Sequence, residues 1–195
     1  MSGKFLVLNG KNILVSVLII SMMTFVCMAG SSMVCNIIET VGENRLLPIY
    51  SVEIPEKKVA LTFDCAWGAN DIPDIINTLK ANEVEATFFV VGDWVKKYPD
   101  AVKSLHDAGM KIGNHSYNHA HVNKLSHEEN LEDMIKCNEI IKEITGEEVK
   151  FYRGPYGEYN NTVLIVAEEL NMKVIQWDVD TLTYISRTVN SLKKQ

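Results

Sequence analysis

His115-Ser116-Tyr117-Asn118-His119 places two imidazoles four residues apart, with a hydroxyl after the first. Neutral imidazole is the commonest protein ligand for zinc and similar divalent ions, so the pair suggests two ligands on one turn of chain. The same i,i+4 spacing also arises from two unrelated surface residues, and the pair alone does not choose between these readings. Its neighbours in the chain bear on the choice. Asp64 and Arg153 each end a strand-like segment, and Asp178 and Asp180 follow another.

Those segments must be the elements that position the polar groups. Val59 to Phe63 is a short apolar run bounded by Lys58 and Asp64, as expected of a buried strand. Ile72, Ile75, Ile76 and Leu79 follow at helical spacing, with Asp71 as N-cap and Pro73 in the first turn. Ala86 to Val91 reads as a second strand stopped by Gly92, Pro99 to Ala108 as a helix closed by Gly109, and Met110 to Gly113 as a third strand. Ser126-His127-Glu128-Glu129 offers a capping box for a long amphipathic helix that runs to Gly146. Val149 to Arg153, Asn161 to Leu170 and Lys173 to Trp177 continue the alternation as strand, helix and strand. Such alternation predicts a parallel α/β sheet or barrel, whose active face lies at the carboxyl ends of the strands. Asp64, His115, His119, Arg153, Asp178 and Asp180 all fall at that rim.

Composition excludes some functions. The net charge is −6 and no Lys/Arg cluster exceeds a dipeptide, which argues against a nucleic-acid surface. Lys4 and Lys11 precede an uncharged apolar stretch, Ile13 to Ala29, followed by Gly30-Ser31-Ser32. That order is the pattern of a secretory signal, while the length approaches the roughly 17–25 residues of a membrane span. Residues 1–30 are therefore expected to be a signal peptide or a membrane anchor, with everything from Val34 onward extracytoplasmic. Residues 31–57 read as a connector and 58–195 as the folded domain. Cys27, Cys35, Cys65 and Cys137 form no C-x-x-C and imply no disulfide framework.

Three ordered motifs then match a known family. Thr62-Phe63-Asp64, His115 to His119 and Arg153-Gly154-Pro155-Tyr156-Gly157 resemble the first three motifs of the polysaccharide deacetylases, or NodB-homology domains. The stretch Leu61 to Gly68 is most similar to the sporulation-associated branch, which is linked to cell-wall peptidoglycan. The resemblance implies a distorted (β/α) barrel that removes N-acetyl groups from a cell-wall glycan such as peptidoglycan or a chitin-like polymer. It implies a divalent metal, zinc foremost, held by His115 and His119, with Asp64 as general base and Arg153 orienting it. Pro155, Tyr156 and Gly157 would form one wall of the substrate groove. Ser116 is expected to support the histidine loop, since nothing near it has the makings of a nucleophile's base.

The chain also departs from the family pattern. Cys65 stands where the family places a metal-binding Asp; a thiolate can take that role, and a small buried filler is the other reading. The fourth motif keeps only Asp180, with Tyr184 as a candidate aromatic wall. The fifth motif, Leu-x-His on a last strand, is absent, so the barrel is expected to lack its final strand-helix portion. These departures leave a second expectation beside the enzyme: a glycan-binding envelope or spore protein without turnover, or a truncated fragment.

Overall fold

The computed structural model describes residues 18–25 and 45–181. The chain divides into a unit up to Arg45 and a second from Leu46. In the first, residues 18–25 are helical (α1). Among the described residues no helix is long and apolar enough to cross a membrane. The remainder of the Ile13 to Ala29 stretch lies outside the described residues, and so does Tyr184.

The second unit alternates as the sequence predicts: β1 (Leu61–Cys65), α2 (Ile72–Ala81), β2 (Ala86–Val90), α3 (Gly92–Lys97), α4 (Pro99–Asp107), β3 (Lys111–Asn114), α5 (His127–Thr145), β4 (Phe151–Tyr152), α6 (Asn161–Glu169) and β5 (Lys173–Val174). The strands form one parallel sheet in the order β1-β2-β3-β4-β5, so each crossover returns to the neighbouring position. The sheet is open rather than a closed barrel among the described residues.

Side-chain alternation assigns the two faces. Phe63 and Phe88 are paired across β1 and β2 and stack at 4.8 Å in the apolar cluster that also holds Val90, Val102, Leu105, Met134 and Ile141. Asp64 pairs with Phe89, and Phe89 with Gly113, so these three residues share the opposite face. Gly113 is required there: a Cβ on it would meet the Phe89 ring at 2.6 Å.

Local signals account for the helices. In α5 the Ser126 side chain accepts from Glu129 N while the Glu129 carboxylate accepts from Ser126 N, and Gly146 ends the helix in the left-handed region at φ +73°. Such a cap is worth about 1 kcal/mol. Asp71 occupies the N-cap position of α2 but makes no side-chain cap bond.

The structure moves several expected boundaries. β1 starts at Leu61, two residues later than the apolar run, and continues through Asp64 and Cys65 because their backbone pairs with Phe89 and Val90. Gly92 opens the short helix α3 rather than merely ending β2; six residues are too few for a periodic signal. β4 and β5 are two residues each, shorter than the five-residue strands expected. Beyond β5, Ile175 bridges in parallel to Ile49, with Ile49 N donating to Val174 O and Gln176 N to Ile49 O. Part of the stretch read as a connector is thus built into the sheet.

Candidate active site

The sheet register brings the carboxyl ends of the strands level, and four side chains of the sequence motifs meet there. Arg153 follows β4 and is only 3% exposed. Its Nη1 donates to Asp64 Oδ1 at 2.8 Å, its Nε to Ile175 O and its Nη2 to Gln176 O, both at 3.2 Å. Its guanidinium lies 4.1 Å over the Phe89 ring and 5.3 Å over Trp177. The bonded and stacked guanidinium therefore sets the orientation of Asp64, whose side chain remains 36% exposed and open to reactants.

His115 follows β3 and is buried. Its Nδ1 lies 2.7 Å from Arg153 O; a carbonyl only accepts, so Nδ1 carries the proton and Nε2 keeps its lone pair. That Nε2 is 3.9 Å from Asp64 Oδ2, on the same side as the carboxylate. Burial lowers the His115 pKa from 6.5, against the opposing pull of Asp64, and burial likewise lowers that of half-buried His119. Both rings are therefore neutral at pH 7, with centroids 5.3 Å apart.

The histidines do not lie on a helical turn. Ser116 and His119 have φ of +68° and +59°, and the segment is a bent loop. Each such residue costs roughly 1–2 kcal/mol, so the loop needs compensating bonds. Asn114 Oδ1 accepts from Ser116 N at 2.8 Å, while Asn114 Nδ2 donates to Met134 O and Asn138 Oδ1. Both Asp133 oxygens accept from Tyr117 N at 3.1 Å, and one accepts from Ser116 Oγ. Ser116 Oγ in turn accepts from Ala120 N at 3.2 Å. Asn114 and Asp133 were not visible as site residues in the sequence. Asp133 reads as one more acidic residue of an amphipathic helix, and its partners lie 16 and 17 residues upstream.

Tyr156 is 60% exposed at φ +59°, with its ring 4.7 Å from His119 and stacked on His121 at 4.3 Å. Glu158 ties the two loops together by accepting from His121 Nδ1 at 2.7 Å. Pro155 is buried beside it, and Gly157 turns at φ +69° against Trp177.

Other expected residues lie apart. Cys65 joins the apolar cluster, and burial first, then Asp64 and Asp71, push its thiol up to about 12. Cys137 is also buried and free. Asp178 and Asp180 are exposed after β5. Among the described residues no three His, Cys, Asp or Glu side chains are grouped to hold a metal ion.

The His115 environment makes a signed prediction. The unfolded chain protonates this ring near pH 6.5, whereas the folded protein resists doing so. Stability carried by the neutral ring is therefore complete above that pH and is lost as pH falls below it. The thermal midpoint of metal-free protein should drop between about pH 7.5 and about pH 5, and His115→Gln should flatten the drop. A midpoint that holds or rises with acid contradicts this.

Comparison with known proteins bears on the site as a whole. A sequence model described as polysaccharide deacetylase matches residues 51–175. The chain belongs to the polysaccharide deacetylase family. A peptidoglycan-N-acetylglucosamine deacetylase of Bacillus cereus is 39% identical over 127 residues, covering 65% of this chain and 46% of the relative. The peptidoglycan-N-acetylmuramic acid deacetylase PdaA of Bacillus subtilis is 31% identical over 71% of this chain and 52% of its own length. The chain thus spans about half the length of these deacetylases. Among solved structures, a CE4 family pseudoenzyme from Bacillus anthracis superimposes with a TM-score of 0.69 at 36% identity, covering 71% of this chain and 50% of that one. A mutant of that pseudoenzyme is described as having restored enzymatic activity. These matches place the polysaccharide deacetylase fold in the second unit, the family model covering residues 51–175.

Proposed function

We propose that this protein is a metal-dependent N-deacetylase of a cell-wall glycan, peptidoglycan or a chitin-like polymer, acting outside the cytoplasm and serving in sporulation. The observation that carries the reading is His115. Its Nδ1 is held by a backbone carbonyl, which aims a bare Nε2 toward Asp64, the arrangement that fixes metal-ligating histidines elsewhere. Together with neutral His119 it offers two nitrogen ligands that fit zinc. The chemistry such an ion supplies when bound is polarisation of the acyl carbonyl and a lowered pKa for water.

The chain's own residues take the remaining roles. Asp64 accepts the proton of the attacking water at a carboxylate oxygen, and Arg153 Nη1 holds that carboxylate in place. Pro155, Tyr156 and Gly157 bound the groove, and Ser116 supports the histidine loop beside it. Cys65 fits a core filler better than a thiolate ligand, since its side chain packs in the apolar cluster, on the sheet face opposite Asp64. Residues 1–30 serve as signal or membrane anchor.

A second reading is favoured by Cys65 at the ligand place and by the likeness to a pseudoenzyme: a glycan-binding protein of the envelope or spore without turnover. Zinc content and acetate release by the full chain separate the two. The enzyme reading expects about one zinc per chain, with acetate released from chito-oligosaccharide or peptidoglycan, abolished by chelation and restored by zinc. Zinc-loaded protein that binds glycan and releases no acetate establishes the second reading, and protein that does neither sinks both.

A further inference from the structure

Trp67 is 84% exposed, in the loop that leaves β1 two residues after Cys65. A lone exposed aromatic on a mobile loop needs no explanation, but this one is rigidly mounted. Gly68 O accepts from the indole of buried Trp94 at 2.9 Å, and Ala66 and Ala69 on either side pack against the apolar cluster. The backbone is thereby clamped on the protein while the indole is held out in water. Its ring centroid lies 6.0 Å from His119, and His119 also meets Tyr156, the other exposed aromatic of the rim.

We propose that Trp67 is a stacking platform for the sugar ring adjoining the one that reacts. This rests on the glycan reading above. An indole face suits the apolar C–H face of a pyranose, and ligand sites combine such apolar walls with a few polar groups that fix orientation. The loop from Asp64 to Asp71 carries two carboxylates and no Lys or Arg, which favours an uncharged ring over an anionic ligand. The acyl group that reacts must lie among Asp64, His115 and His119. A ring stacked on Trp67 lies beside His119, and we assign it to the neighbour along the glycan rather than to the reacting sugar itself. Trp67 is in this sense a positioning residue that selects for chain length.

The test titrates the full chain with chitotetraose and with N-acetylglucosamine, comparing wild type, Trp67→Ala and Trp67→Phe, and follows acetate release where it occurs. Removing the indole should weaken tetrasaccharide binding about tenfold, one stacked apolar face being worth that much. It should leave monosaccharide binding and the thermal midpoint unchanged, and Trp67→Phe should recover most of the loss. In turnover the loss should fall on KM, with kcat retained. Equal tetrasaccharide binding by wild type and Trp67→Ala overturns the proposal, as does wild-type protein that binds no oligosaccharide. Trp67-dependent binding without acetate release sinks the deacetylase reading and leaves the platform standing. Acetate release with the same KM in both proteins does the reverse.

Discussion

Asp64→Asn is expected to cut acetate release by about 10²–10⁴-fold while leaving the fold and the zinc content intact. The substitution keeps the side-chain volume and an oxygen to accept from Arg153 Nη1, so the 2.8 Å contact survives. What it removes is the basic oxygen that takes the proton from water. It leaves His115 Nδ1 on the Arg153 carbonyl and both imidazoles available, so metal stoichiometry should match the wild type. Single-turnover acetate release, read beside zinc analysis and a melting curve, checks all three. A variant that loses zinc together with activity assigns Asp64 to the metal rather than to the proton, and full activity removes it from the chemistry altogether.

Arg153→Met is expected to be the most destabilising single change in the site. Methionine approximates the length of the stem and can lie against Phe89 and Trp177, but it donates nothing. The carbonyls of Ile175 and Gln176 lose their guanidinium donors, and Asp64 loses its cation. Asp64 is partly exposed, so water replaces much of that ion pair, and little of the cost is assigned to it. The two carbonyls left without donors, one buried and one partly buried, and lost packing suggest about 2–4 kcal/mol, a drop of roughly 10 °C in the midpoint for a domain of this size. Arg153→Lys should recover only part of it, because an ammonium cannot span three acceptors in the fixed geometry of the fork. Urea or thermal unfolding with the midpoint within two or so degrees of wild type contradicts this account.

How far the sequence could be read depended on how local each signal was. The helix α5 was legible at both ends because Ser126, Glu129 and Gly146 act on backbone within their own turn. The crossover order was legible because strands and helices alternate at lengths that leave little choice of topology. Asp64, His115, His119 and Arg153 were legible as a set because each stands at a strand's carboxyl end. The two-residue extent of β4 and β5 was not, since strand-like segments of five residues do not say which amides find partners across the sheet. The conformation of the histidine loop was hidden for a related reason: left-handed Ser116 and His119 are sustained by Asp133 on a helix distant in sequence. Nor did anything in Pro48-Ile49-Tyr50 mark a partner for Ile175.

That pairing of Ile49 with Ile175 has a kinetic consequence. Every other ladder in the sheet joins strands that are successive in the chain, so the sheet is able to assemble in the order of synthesis, each new strand closing a modest loop onto the last. Ile49 must wait through all of this, because its partner is the last of the paired residues among those described. During translation the sheet should therefore pass through a stage in which β1 to β4 are docked and the segment before β1 still hangs free. The pairing that follows is a latch thrown from before β1 onto the segment after β5.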